Sequence, residues 1–320
     1  MPEVPVPPEN LAIPAIARMP GAEACSVTLD GVRWNYWRAG SGPALLLIHG
    51  FMGYAFSWRF NLADLARDFS VYAPDLGGCG FSQRVDVVQT TLAADAEAML
   101  RFMDRLGIED AYVLGSSRGG GLALALAALL ARRGMAHRMR RLILVSPINP
   151  WSSNGLLMTR LLATAMGGLA VLHVIPHMPF LVRGYFKRLY GDPRRIAPGS
   201  FEGYRAGLDE PGSFPHLLRI VRSWRDDLSL VEQSLGEVGE LPVLLLWGDC
   251  DRAVYASSLP QLQQRLINSA TLLMPGVGHL PYEEVPEEFN RVVRDFLLHN
   301  TPLTALEKPS VISYQSTAQT

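Results

Sequence analysis

Hydrophobic and polar positions along the chain fall into a recurring order. Short apolar runs alternate with longer stretches whose apolar residues recur three or four apart. Residues 25–29 and 32–38 alternate in polarity around Asp30-Gly31, a combination that predicts a β-hairpin. The run Ala44-Leu45-Leu46-Leu47-Ile48 is apolar throughout, as a strand covered on both faces must be. Val71 to Ala73, Ala111 to Leu114, Leu142 to Val145 and Val243 to Trp247 share that character, and Thr271 to Met274 shows it more faintly. Helices are predicted near 56–67, 91–106, 119–133, 257–267 and 284–298. In the second of these, Leu92, Ala96, Met99, Leu100 and Met103 lie on one face. Strands and helices in alternation predict an α/β fold, with a mostly parallel sheet between two helical layers.

The alternation stops between about Asn149 and Gly239. This segment is apolar, aromatic and helical in pattern, with breaks at Pro150, Pro176, Pro179, Pro193, Pro198, Pro211 and Pro215. It predicts a helical insertion over 149–239, flanked by core segments 25–148 and 240–300. Within it, Leu161 to Ile175 is the most membrane-like stretch. It is shorter than the roughly 20 apolar residues of a bilayer span and is interrupted by His173, so a buried or interfacial helix is expected. Residues 1–24 hold prolines from Pro2 to Pro20 and lack the basic start and apolar core of a secretion signal. They are expected to form an extended arm. Residues 301–320, rich in Ser, Thr and Gln, are expected to form a loose tail.

Composition narrows the classes further. With 320 residues, 48% of them hydrophobic, the chain can build one large core and still carry an insertion. Lys plus Arg number 29 and Asp plus Glu 30, so no global charge favours nucleic acid or a strongly acidic partner. Cys25, Cys79 and Cys250 are far apart and lack metal-ligand spacing. Sparse free thiols fit a reducing compartment, so a cytoplasmic location is expected.

The chemistry-bearing stretch is Ala111-Tyr112-Val113-Leu114-Gly115-Ser116-Ser117-Arg118-Gly119-Gly120-Gly121, followed by an Ala/Leu helix. A buried strand runs into Gly-x-Ser-x-Gly and then a helix. Such a turn strains the backbone at Ser117 and holds its hydroxyl at a helix N-terminus, where developing negative charge is favoured. Gly115 and Gly119 let strand and helix approach closely. Ser116 is the neighbouring hydroxyl, outside the centre of the pentapeptide. Without the flanking strand and helix, the same glycine-rich pattern is an ordinary connection.

A serine hydroxyl needs a base, and the base needs an orienting group. Of seven histidines, His279 sits in a glycine-rich loop, Met274-Pro275-Gly276-Val277-Gly278-His279-Leu280-Pro281, between a strand end and a helix. An exposed loop histidine is the bland alternative. Leu246-Trp247-Gly248-Asp249-Cys250-Asp251-Arg252 offers two acids at a strand end. Asp251 could accept the second imidazole proton; Asp249 could do so instead, or could cap a turn or the next helix. The order Ser117, acid, His279 suits a nucleophile elbow on a parallel sheet. After the strand at 44–48, His49-Gly50-Phe51-Met52-Gly53 can aim backbone N–H groups at the same place. The N–H groups of Phe51 and Arg118 are the candidate oxyanion hole, and His49 is read as a support for the loop.

Together these stretches resemble the α/β-hydrolase superfamily, in its lid-bearing branch of esterases, lipases, C–C hydrolases and haloperoxidase-like proteins. The matching segments are LLLIHGFMG (45–53), YAPDLGGCGFS (72–82), VLGSSRGGG (113–121), LILVSP (142–147), LLLWGDCD (244–251) and MPGVGHLPYEEVPEEF (274–289). They span about residues 25–300. The resemblance implies an eight-stranded, mostly parallel sheet, with 149–239 as a lid. It assigns Ser117 as nucleophile, Asp251 as acid, His279 as base, and Phe51 and Arg118 as oxyanion donors. It requires no cofactor and no metal. Relatives that attack with aspartate, such as epoxide hydrolases, differ at the nucleophile, so this chain resembles the acyl-transfer branch.

Two departures stand out. Arg118 occupies a position where Met or Gln is frequent; its side chain either crowds the pocket, binds a substrate carboxylate, or forms a structural ion pair, the last being favoured. Arg132, Arg133, His137, Arg138, Arg140 and Arg141 form a basic connection, read as a solvated helix end, with a peripheral membrane or protein contact as the lesser alternative.

The insertion is expected to close over the sheet edge and line an apolar cleft, with Met52, Trp151 and Met158 as candidate substrate contacts. The expected activity is hydrolysis of a carboxylic ester, or a related carbonyl bond, in a hydrophobic small molecule through an acyl-enzyme on Ser117. Alternatives are C–C hydrolysis or haloperoxidase-like chemistry with the same triad, and a non-catalytic ligand-binding receptor on the same fold.

Overall fold

The computed structural model of the chain describes residues 13–85, 89–152 and 156–298. The expected tail, and residues 1–12 of the expected arm, lie outside the described residues. The rest of the arm is not extended throughout. Ala15–Ala17 makes a 3-10 turn, and Ile13, Ala17 and Met19 are buried in the core.

Eight strands form one sheet in the order β1-β2-β4-β3-β5-β6-β7-β8. They are β1 (Glu23–Leu29), β2 (Val32–Ala39), β3 (Ala44–Ile48), β4 (Ser70–Pro74), β5 (Ala111–Ser116), β6 (Met139–Val145), β7 (Val243–Gly248) and β8 (Ser269–Met274). The β1–β2 and β2–β4 pairs are antiparallel, and every other pairing is parallel. Asp30 (φ 49°) and Gly31 (φ 78°) close the first hairpin with two left-handed residues, as its short turn demands.

The expected mostly parallel sheet is therefore present, and its strands divide their residues between two cores. Leu46 and Ile48 of β3, Leu142 and Leu144 of β6, and Val243, Leu245 and Trp247 of β7 face one side. Leu45 and Leu47, Ile143 and Val145, and Leu244 and Leu246 face the other. This is the two-residue period of a strand, with both faces apolar because both are covered.

The first side is covered by α2 (Leu92–Arg105) and α3 (Arg118–Arg132), and the second chiefly by α1 (Leu62–Leu65) and α11 (Pro286–Leu298). Every residue from Arg118 to Leu130 is buried, because α3 packs against β5, α2 and the long helix of the insertion.

Three expected helices are shorter than their patterns. The 56–67 region is a 3-10 turn (Ala55–Trp58) followed by α1 alone. The 257–267 region reduces to a turn and α9 (Leu259–Gln263). The 284–298 helix is divided, because Pro286 disfavours helical backbone at Val285, which takes φ −141° between α10 (Pro281–Glu284) and α11.

Between β6 and β7 the chain leaves the sheet for five helices. These are α4 (Leu156–Ala163), α5 (Ala165–His173), α6 (Pro179–Arg188), α7 (Ser200–Leu208) and the 23-residue α8 (Ser213–Leu235). Phe51 and Met52 of the sheet rim pack against Val182 of α6, Leu208 of α7 and Leu217 of α8. The insertion thus sits on the loop that follows β3.

Candidate active site

Ser117 is the residue between β5 and α3, and it stands at φ 55°, ψ −119°. A side chain in that region is strained, and the surroundings hold it there. Its N–H bonds Val145 O of the neighbouring strand at 2.9 Å, and its carbonyl accepts from Gly120, Gly121 and Ile148. A Cβ at Gly115 would collide with the Gly119 carbonyl, and one at Gly119 with the carbonyls of Ile48 and His49. Only glycine allows this crossing of strand, helix and β3 loop.

The acid and the imidazole meet. His279 Nδ1 lies 2.8 Å from Asp251 Oδ2, and both side chains are buried. The other carboxylate oxygen, Oδ1, accepts the N–H groups of Ala253 and Val254 at 2.7 and 3.0 Å. With both oxygens fixed, Asp251 accepts the Nδ1 proton and leaves Nε2 for other work. Asp249 serves elsewhere, since its Oδ1 accepts the Gly276 N–H at 2.7 Å and closes the loop after β8. The two acids left open by the sequence are thereby told apart.

The His279 loop is fastened from two sides. The Ser116 hydroxyl approaches Tyr282 OH at 3.4 Å, which ties the loop's far end to β5. Toward the insertion, the His279 N–H donates to Leu189 O at 2.6 Å. Glu284 accepts from Gly278, Gly191 and Asp192. Glu283 accepts from Tyr190 and Tyr204 and pairs with Arg59 at 2.7 Å. The sequence pattern does not single out these anchors, although both glutamates directly follow the histidine motif.

On the β3 side, Met52 takes φ 60° and Gly53 N–H bonds Gly50 O, which turns the loop back sharply. Among the described residues, neither the Phe51 N–H nor the Arg118 N–H has an acceptor. His49 supports this loop rather than acting on it. Its Nε2 accepts the Leu76 N–H and its Nδ1 faces Gly50 O, while burial pulls its pKa down to about 4. Asp75, on the adjoining turn, accepts from Ala55, Phe81 and Asn35. Burial outweighs those donors and raises its pKa to about 6.

The Arg118 guanidinium is fully occupied. It pairs with Asp95 of α2 at 2.8 Å and Asp227 of α8 at 3.2 Å, and donates to Thr90 O at 2.6 Å. Asp227 also accepts the Leu92 N–H at 2.8 Å. The side chain therefore neither crowds the pocket nor remains available to a substrate carboxylate. It bolts α3 to the insertion. The basic connection is equally committed: Arg132 pairs with Glu237, Arg133 with Glu97, Arg138 with Asp104 and Arg140 with Asp110.

The three candidate substrate contacts separate. Met52 lies at the junction of rim and insertion. Trp151 packs on the first core with the Arg265 guanidinium 4.3 Å above its ring, so its surface is taken up structurally. Met158 is 58% exposed, on the solvent side of α4 rather than in a cleft wall. Tyr185 of α6 is nearer the site. Part of its ring is exposed, but desolvation raises the pKa of its phenol, and the Asp251 carboxylate adds to the rise.

An eight-stranded sheet with a Gly-x-Ser-x-Gly turn between strand and helix, and an imidazole–carboxylate pair beyond its later strands, defines the α/β-hydrolase class. The family model for the alpha/beta hydrolase fold matches residues 43–286, and the chain belongs to that family. It is 29% identical to an uncharacterised protein of Mycobacterium tuberculosis over 278 residues, 84% of this chain and 80% of that one. It is 27% identical to a 2-hydroxy-6-oxo-2,4-heptadienoate hydrolase of Pseudomonas putida, with 85% and 95% covered. Among solved structures, a membrane phospholipase A described as a bacterial virulence factor superposes with a TM-score of 0.73 at 25% identity, covering 87% and 86%.

Proposed function

We propose that the protein is a serine hydrolase that cleaves the carboxylic ester of a hydrophobic small molecule. The observation that carries this is the 2.8 Å contact between His279 and a fully engaged Asp251, combined with the strained elbow at Ser117. In this reading, His279 Nε2 accepts the Ser117 proton during attack on the carbonyl, and Asp251 stabilises the imidazolium. The N–H groups of Phe51 and Arg118 hold the oxyanion. The alcohol leaves with a proton from His279, and His279 then activates water to release the acid. The insertion acts as a lid, with Met52 and Tyr185 near the acyl group.

C–C bond hydrolysis with the same triad is the second reading, favoured by the likeness to the Pseudomonas putida enzyme. The engagement of Arg118 with two carboxylates weighs toward the ester, because no guanidinium from that position meets an acidic substrate. The test is turnover of p-nitrophenyl esters of increasing chain length, beside a 2-hydroxy-6-oxo-dienoate. Medium-chain esters are expected to lead, with Ser117→Ala lowering turnover by at least about 10³-fold. Preference for the dienoate selects the second reading, and near-normal turnover by Ser117→Ala contradicts both.

A further inference from the structure

The exposed apolar surface of the insertion's first three helices poses a separate question. Among the described residues, fourteen large hydrophobic side chains are exposed, and eight of them lie between Met158 and Tyr185. Met166 is 84% exposed, Phe180 63% and Leu169 59%. Such a concentration on one segment marks a surface that is covered in use.

The charges around it name the partner. Residues 149–191 contain Arg160, Arg183, Lys187 and Arg188, and no Asp or Glu, in a chain with 29 basic and 30 acidic residues as a whole. Arg183 is held by Glu202, while Arg160, Lys187 and Arg188 are exposed. Beside α4, a cleft of about 250 Å³ runs along α8. Arg160, Arg222 and Arg225 line it with Trp224, and Glu232 is its acidic wall residue. Arginines at the margin of an apolar face suit phosphate oxygens, and their stems can lie along hydrocarbon.

Geometry weighs against a spanning role. Among the described residues, no single helix is long and apolar enough to cross a membrane. The apolar pair from Ala165 to Arg188 bends by 97°. Its helices have 9 and 10 residues, about 15 Å each against a hydrocarbon core of about 30 Å. Short apolar helices bordered by cations suit the plane of a lipid interface better than a span.

We propose that α4, α5 and α6 dock the protein on an anionic phospholipid surface. Met166, Leu169 and Phe180 enter the acyl boundary, Lys187 and Arg188 stand at headgroup level, and the Arg160–Arg222–Arg225 cleft takes a phosphate. This surface does not depend on the hydrolytic reading, because binding is measured without turnover.

The test is flotation of the full chain with vesicles of phosphatidylglycerol and phosphatidylcholine, or of phosphatidylcholine alone. The anionic vesicles are expected to bind at least about tenfold more tightly, since each basic residue near such a surface adds to the attraction. Met166→Ser with Phe180→Ser should weaken that binding at least about tenfold without moving the unfolding midpoint. Lys187→Glu with Arg188→Glu should narrow the gap between vesicle types. Absence of flotation, equal binding to both vesicles, or indifference to both variants overturns the proposal. So does a dimer dispersed by the apolar variant in a protein that ignores vesicles, which would assign the face to a second copy.

Discussion

The two sides of the insertion are built on opposite principles. Its rear helix, α8, is tied into the molecule: Asp227 is buried against Arg118, Leu217 packs on the β3 loop, and Val231 and Leu235 join the first core. Its front helices, α4 to α6, carry seven of the fourteen exposed large apolar side chains among the described residues. Most of α8 is thus committed to the fold, whereas α4 to α6 combine a few buried anchors, Val182 and Phe186 among them, with a large exposed apolar surface. A segment that must meet a variable apolar partner is freed for it when a neighbouring helix holds the fold.

That contrast can be broken most severely at Asp227. Removing one partner from a buried ion cluster leaves the others uncompensated in low dielectric, typically at a cost of about 3–5 kcal/mol. Asp227→Ala should lower the free energy of unfolding by about that amount in denaturant titration, and Asp227→Glu should recover part of it. An unchanged unfolding curve for Asp227→Ala would detach α8 from this role.

A smaller effect should appear with pH. His216 of α8 is buried with Nε2 3.7 Å from Cys79 Sγ, and burial, aided by Arg219, pulls its pKa down to about 3. His49 is pulled down to about 4 by burial. Both are neutral in the folded protein where the unfolded chain, at about 6.5, takes up protons. Their stabilisation is thus present above about pH 6.5 and is lost as pH falls from there toward 4. Each contributes a slope of up to about 1.4 kcal/mol per pH unit. His216→Gln should flatten the dependence by one proton's worth in unfolding measured across that window. Asp75, raised to about 6, takes up a proton in the folded state over part of this window and opposes the two histidines, so the test is the difference between variant and wild type: an unchanged slope in His216→Gln would contradict the assignment.

The smallest effect belongs to the front. Met166→Ser and Phe180→Ser should each change unfolding free energy by no more than about 0.5 kcal/mol, as exposed positions do. A large loss at either site would place the front helices in the core and erase the contrast.

How much of this is legible in the sequence follows from the range of the interactions. Six strands carry local apolar runs, and the first two alternate in polarity around Asp30-Gly31, so the sheet can be read directly. The elbow is legible because Gly115, Ser117 and Gly119 are close neighbours in sequence. The choice of Asp251 over Asp249 needs resemblance, since a small difference in loop position decides which carboxylate reaches His279. The anchoring of Arg118 is expected as an ion pair, but its partners cannot be read locally: Asp95 and Asp227 lie 23 and 109 residues away. Met158 is misplaced by the sequence pattern because a helix rich in apolar residues does not declare which face turns inward.

The central claim is that Ser117 is an activated nucleophile. Its most direct measurement is reaction of the full chain with a fluorophosphonate, followed by intact mass and peptide mapping. A single adduct on the peptide bearing Ser117, absent from Ser117→Ala and strongly slowed in His279→Ala, is the predicted result. A folded protein that takes up no label, or that carries it on Ser116 or elsewhere, would contradict the account.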